Sequence, residues 1–349
     1  MKKRNILLIT ILLFGVAAIS QNDASKLQQT WVKVDVNMKD GSRHIPYYPW
    51  TNRYFEFTFF DNQYAFSIYP AETEKTTIYN YTLFKNSIYV SQHFQYTIEK
   101  LTADSLIIVE NMADITDDKL KRYFLVSKRK LVSDYKKQID TLSKIDARPY
   151  YSPIFEGNLK RHLKKRLKNT LGTTEFSGVL KLYPKTSKVQ VQILNNEGSE
   201  STIFKRTIKA IEKSSSNWNF DGFEKFELVS IPFFISVENE GRSRFARIKL
   251  FATDKMDLLA DYGTTLDIVN KSSDSFSKGL LAYNSGNFEQ AIIYFSNSYK
   301  INPSFLDPLY NRAYTYYEMG DLENACSDWL ELKNLGQTEG SALYLQYCD

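Results

Sequence analysis

Three histidines are the first residues to test for chemistry, and their spacing gives them none. His44, His93 and His162 are scattered along a chain of 349 residues. None has a second ligand at metal-binding spacing, and none stands beside a Gly-x-Ser-x-Gly nucleophile turn, so zinc and acyl-transfer sites lack their parts. They read as surface or packing histidines. Asn217, Asn219 and Asp221 place oxygens at alternate positions before Gly222, as the start of a calcium loop does, yet the twelfth position is Leu228 and Glu227 misses it by one. No glycine-rich loop follows a strand to cradle a phosphate. With no acid, base and nucleophile cluster in view, the expectation is a non-enzymatic chain without metal or cofactor that acts by binding.

The N-terminus indicates where it binds. Lys2, Lys3 and Arg4 precede an apolar run from Ile6 to Ile19, interrupted only by Thr10, and Ala18-Ile19-Ser20 offers small residues at cleavage offsets. Residues 1–20 therefore read as a cleavable export signal, which would leave the mature chain periplasmic or secreted. An uncleaved anchor is the other reading, but the run is shorter than the roughly 20 apolar residues a spanning helix needs. No cysteine follows the run to accept a lipid.

Charge is concentrated. Lys160, Arg161, Lys164, Lys165, Arg166 and Lys168 surround a narrow stripe of Leu159, Leu163 and Leu167. This helix is either a solvated face over a core-facing stripe or a contact for an anionic membrane surface or sugar at the envelope. Nucleic acid is not an expected partner for an exported chain. The formal net charge of +5 falls to +2 without the leader's three cations, and apart from the six the mature remainder sums to −4, which makes charge a property of one helix.

The elements that position these residues fall into three blocks. In residues 256–349, Gly286-Asn287-Phe288-Glu289-Gln290-Ala291 recurs as Gly320-Asp321-Leu322-Glu323-Asn324-Ala325, a spacing of 34 that fits one helix-turn-helix unit. Gly279, Tyr283, Ala291, Phe295 and Pro303 in the first unit, and Leu309, Ala313, Tyr316, Tyr317, Ala325 and Trp329 in the second, give a segment that resembles tetratricopeptide repeats. Lys278 and Arg312 stand where that family has apolar residues, and Leu332 where it has a small one. The resemblance implies that the first helix of each unit lines a concave binding side, here Phe276, Leu280, Tyr283, Tyr310, Tyr314 and Tyr317, suited to an extended or helical peptide. Two units need covering at their open ends, from a closing helix and from the preceding domain. Both cysteines lie here, and an even number in an exported chain invites a bridge. With helices over 322–335 and 338–347, Cys326 and Cys348 end at nearly the same height, at about 1.5 Å per residue. Two buried thiols are the alternative.

Residues 26–131 alternate with period two in eight short segments, from Trp31–Met38 through Arg53–Phe60, Gln63–Tyr69, Thr77–Leu83, Ser87–Val90, Phe94–Leu101 and Ser105–Glu110 to Arg122–Ser127. An antiparallel barrel is expected, because closure removes the edges such aromatic strands would expose. Leu27 with Trp31, the run Phe59 to Tyr64, and the run Tyr96 to Leu106 make the segment resemble small lipocalin-like domains of secreted bacterial proteins. The expectation is an interior filled by its own rings; a barrel that carries a lipid or glycan is the alternative.

Residues 132–149 read as linker or helix, and 150–255 as an α+β domain. Phe155-Glu156-Gly157 opens a helix, strands follow over 178–183 and 188–194, then a helix over 201–213, a turn at Trp218 to Gly222, and a strand over 226–237. Gly157, Gly178, Val189, Val191, Ile208, Trp218, Gly222 and Ile231-Pro232-Phe233, in this order and spacing, resemble the C-terminal domain of TonB-type energy transducers. That resemblance implies a periplasmic domain that adds a partner's strand to its sheet edge. No proline-rich spacer precedes it, and Asn169-Thr170-Leu171 replaces the family's Tyr-Pro, so the domain reads as a relative reused for binding, with energy transduction the alternative. The expected whole is a multidomain, exported scaffold that recognises envelope proteins or peptides through its repeats and a sheet edge.

Overall fold

The computed structural model describes residues 25–45, 54–73, 77–196, 201–240, 244–252 and 264–349. The leader over residues 1–20 lies outside the described residues. Among the described residues no helix is long and apolar enough to cross a membrane.

Among the described residues nine strands form the first block, one more than expected: β1 (Thr30–Met38), β2 (Glu56–Phe60), β3 (Gln63–Ser67), β4 (Thr77–Asn80), β5 (Thr82–Phe84), β6 (Ser87–Tyr89), β7 (Phe94–Leu101), β8 (Ser105–Met112) and β9 (Lys121–Ser127). They pair antiparallel in the order β4-β3-β2-β1-β9-β8-β7-β6-β5, a nearly closed barrel. The extra strand comes from Tyr81, which splits the segment 77–83. Its N–H donates to Asn62 O at 2.8 Å and its hydroxyl to Asp61 O at 2.8 Å, so the chain turns a corner there. The two edge strands, β4 and β5, are thus joined through one residue. Rings fill the inside and meet across the barrel: Phe57 of β2 lies 5.9 Å from Tyr96 of β7, and Phe55 lies 5.4 Å from Tyr123 of β9. Trp31, Ile88, Leu106 and Ile108 are fully buried below them.

The region read as linker or helix supplies both a helix and a strand. Helix α1 (Lys128–Gln138) is capped by Ser127, whose Oγ accepts from Lys130 N, and its Tyr135 joins the core of the next domain. Strand β10 (Lys144–Asp146) enters that domain's sheet before residue 150. Next come β11 (Ile154–Phe155), α2 (Leu159–Arg166), β12 (Gly172–Tyr183), β13 (Lys188–Asn196), α3 (Thr202–Glu212), β14 (Trp218–Asn219), β15 (Leu228–Asn239) and β16 (Arg244–Leu250). Helix, hairpin, helix and strand stand in the expected order, with two clearly shifted starts: β12 begins at Gly172 where residue 178 was expected, and α2 begins later than expected. Gly157 takes φ +103°, and Asn158 caps α2 by accepting from Arg161 N at 2.8 Å, so the helix opens at Leu159 and Phe155 belongs to a strand.

Strand β15 lies inside the sheet despite Pro232. One side pairs with β12. On the other, residues Leu228 to Ser230 pair with parallel β10 and Phe233 to Asn239 with antiparallel β16, a strand the sequence reading did not contain. Proline, which cannot donate, sits where the partner changes, and its carbonyl accepts from Phe251 N at 2.7 Å. Gly178 is required by crowding: a Cβ there would stand 2.4 Å from Gln192 O and 3.0 Å from the Phe233 ring.

The C-terminal helices are α4 (Thr264–Asn284), α5 (Phe288–Ile301), α6 (Asp307–Glu318), α7 (Leu322–Asn334) and α8 (Thr338–Tyr347). Three of the four turns carry a glycine at positive φ, Gly286, Gly320 and Gly336, which ends one helix and lets the next fold back; the turn between α5 and α6 has Pro303 instead. Small meets large between neighbours. A Cβ on Gly279 would stand 2.5 Å from the Phe295 ring, and one on Gly340 2.3 Å from Leu332 Cβ. Leu332, too large for its family position, is thus accommodated by the missing side chain of Gly340 on the closing helix.

Candidate interaction surfaces

Arg312 and Asp328 explain another departure from the family pattern. The guanidinium of Arg312 on α6 donates to both carboxylate oxygens of Asp328 on α7, at 2.8 and 2.7 Å, and to Ser296 Oγ on α5 at 3.0 Å. Three successive helices are joined by one side chain. The pairing holds Arg312 charged, and Asp328 is almost wholly buried, so either partner alone would be a stranded charge. Lys278 is exposed and pairs with Asp274 one turn away at 2.7 Å. Cys326 and Cys348 form a disulfide, with Cα atoms 5.7 Å apart, that ties α7 to the end of α8.

The six expected concave residues do not share one open surface. Phe276 is held between Phe295 and Phe305, with centroids at 5.7 and 5.0 Å, and Tyr283 packs on Phe288 at 5.4 Å. Leu280 is half-buried. Tyr310 faces the barrel across a cleft of about 440 Å³ that His44, Lys121 and Glu339 also line. Burial raises the pKa of its phenol. Tyr314 and Tyr317 remain 41% and 39% exposed, leaning on Trp329 at 6.4 and 5.7 Å. Tyr347 of α8 completes the group, 5.1 Å from Tyr317 and 5.5 Å from Trp329. Sequence reading missed Tyr347 because it belongs to no complete repeat, although its ring lies one residue from a bridged cysteine.

The barrel covers the other end of the helices through main-chain contacts. Arg43 N donates to Gly336 O at 2.9 Å, Gln337 Nε2 to Arg43 O at 3.0 Å, and Thr338 N to Ser42 Oγ at 3.0 Å. Lys119 reaches Asp307 at 2.9 Å. Inside the barrel, Lys33 lies with its ammonium 5.1 Å from the Phe55 centroid and without a hydrogen-bond partner. Desolvation lowers its pKa to about 8. His44 is pushed down to about 4, by burial first and then by Lys121 and Lys33.

In the middle sheet β15 has both sides filled, whereas among the described residues β13 pairs only with β12. Its outer side is the edge a partner strand can extend beyond Val191, whose N–H is already taken by Glu212 Oε1 at 3.3 Å, and Leu194 on it is exposed. The calcium-like turn uses its oxygens internally, with Asn219 Oδ1 accepting from Asp221 N at 2.8 Å. Among the described residues no group of three His, Cys, Asp or Glu is placed to hold a metal ion. His162 packs on Phe155, and its Nε2 lies 3.3 Å from Ala210 O. His93 is exposed. On α2 the stripe Leu159, Leu163 and Leu167 is buried, while Arg161, Lys164, Lys165, Arg166 and Lys168 are exposed and Lys160 half-buried.

The profile of the tetratricopeptide repeat family matches residues 276–305 and 306–328, which makes α4 to α7 a tetratricopeptide repeat segment. Repeats of this class present surfaces to proteins. No curated protein matches the chain.

Proposed function

We propose that this chain is an exported scaffold of the cell envelope that binds a peptide or protein through its repeats, with the β13 edge as a second contact. The carrying observation is the exposed ring group of Tyr314, Tyr317 and Tyr347 on a base of Trp329. Rigid aromatic side chains with one wet side are the typical anchors of protein interfaces. Export is supported by the charged and apolar pattern of residues 1–20 and by the disulfide, which persists in oxidising compartments. The middle domain's order of helix, hairpin, helix and strand supports its reading as a TonB-type C-terminal relative. Its use here is binding, because β10 and β16 already fill the side of β15 opposite β12. The barrel is a structural cap, since rings cross its interior and its Ser42–Arg43 loop is bonded to the last repeat turn.

The test is cross-linking capture from envelope extracts with the full chain and with Tyr314→Ser, Tyr317→Ser and Tyr347→Ser combined. The expected result is a partner cross-linked next to these residues and lost from the triple variant. A partner retained unchanged by that variant places binding away from the repeats.

A further inference from the structure

The basic helix does not stand alone. Helices α2 and α3 lie side by side over one face of the middle sheet, joined by His162 Nε2 near Ala210 O at 3.3 Å and by Arg206 Nη1 donating to Thr170 Oγ1 at 2.8 Å. The first contact sets the middle of α2 against the last turn of α3, and the second sets the residue stretch just past α2 against the middle of α3, so the helices run antiparallel. Helix α3 and its C-cap add Lys205, Arg206, Lys209 and Lys213, all exposed. The two-helix layer thus holds ten cations. Its one carboxylate, Glu212, accepts from Val191 N at 3.3 Å. That leaves a net +9 on the layer in a chain whose total is +5, so everything else sums to −4. The apolar sides of both helices are consumed, with Leu163, Ile203 and Ile211 fully buried or nearly so.

We propose that the outer face of α2 and α3 is a docking surface for an anionic phospholipid membrane, independent of what the repeats bind. Charge complementarity selects an anionic partner, and the kind of side chain selects lipid. Seven of the ten cations are lysines, compact charges suited to a diffuse headgroup layer, and Arg206 is already engaged with Thr170. No aromatic ring stands among the outward positions to stack a base, since Phe204 is buried and His162 is packed on Phe155. Leu171, 69% exposed just beyond the end of α2, gives the surface one apolar residue to enter the headgroup region.

The experiment is sedimentation of the full chain with vesicles of phosphatidylcholine alone and with phosphatidylglycerol added, at 50 and 500 mM salt. The apolar run of the leader enters both vesicle types, so the readout is the ratio of anionic to neutral partitioning. Lys164→Gln with Lys165→Gln, and separately Lys209→Gln with Lys213→Gln, should each lower that ratio roughly 25-fold, at roughly five-fold per cation, and high salt should abolish it. These side chains are exposed, so both variants should melt with the parent. A ratio near one for the parent overturns the proposal. So does an unchanged ratio in the Lys209/Lys213 variant, which would return the charge to a single helix. Retention on polyglutamate or single-stranded DNA without a preference for the anionic vesicles assigns the surface to an acidic polymer and overturns it equally.

Discussion

The two helical layers of this molecule spend their outward residues in opposite ways. In the repeats, rings expected to face a partner are partly used up by the protein itself: Phe276 between Phe295 and Phe305, Tyr310 against the barrel. In the middle domain the outward side chains of α2 and α3 are nearly all cations left facing water. Rings stack on whatever apolar surface is near and are consumed by assembly. Lysines lose hydration when buried and stay outside. A family pattern thus indicates which side of a repeat can bind, and the assembly decides how much of that side is left.

The comparison is broken most severely at Asp328. Asp328→Ala strands the Arg312 guanidinium between three helices, and we expect a loss of about 3–5 kcal/mol in repeat stability, seen as an early separate transition in calorimetry. Restoration by Asp328→Glu would show that the charge pair is the cause. Next comes the disulfide: replacing Cys326 and Cys348 by serine opens a loop of sequence separation 22 and should cost about 3 kcal/mol, lowering the same transition. Asn239→Ala tests the other layer. Its Nδ2 donates to Leu167 O at 2.9 Å and Thr170 O at 2.7 Å, closing the end of α2 from β15. Loss of those bonds should cost about 1–3 kcal/mol and speed hydrogen exchange in α2 while the repeats are unaffected.

The smallest expected effect has the opposite sign and sharpens the rule that cations belong outside. Lys33→Met removes an ammonium held in the barrel and should stabilise the protein by about 1 kcal/mol at pH 7. The folded-state pKa of Lys33 is about 8, below its ordinary 10.5. Between those values the unfolded chain binds more protons than the folded one, so parent stability rises with pH across that window. The variant should flatten this rise in thermal melts from pH 7 to 10.5.

The repeat helices were legible because their turn sequence recurs and each unit's contacts lie close in the chain. The middle order of helix, hairpin, helix and strand was equally legible from local periodicity, apart from the first half of β12, which was expected only from residue 178, and Phe155, whose apolar ring looks the same at a strand end as at a helix start. What escaped were β10 and β16, whose short segments have meaning only beside β15, and Tyr347, which follows no repeat. The cationic surface was seen by half, because Lys205, Arg206, Lys209 and Lys213 are spaced too widely in sequence to look like a cluster.

Sequence alone determined the alternation that makes strands, the 34-residue recurrence that makes stacked helices, and the leucine stripe that seats α2, since each is a periodicity read within one segment. Tertiary structure decided the rest. The barrel nearly closes at Tyr81, Pro232 fits where β15 changes partner, Leu332 is received by Gly340, and two basic helices become one surface, because each of these depends on which distant segment arrives alongside, a pairing that no local pattern encodes.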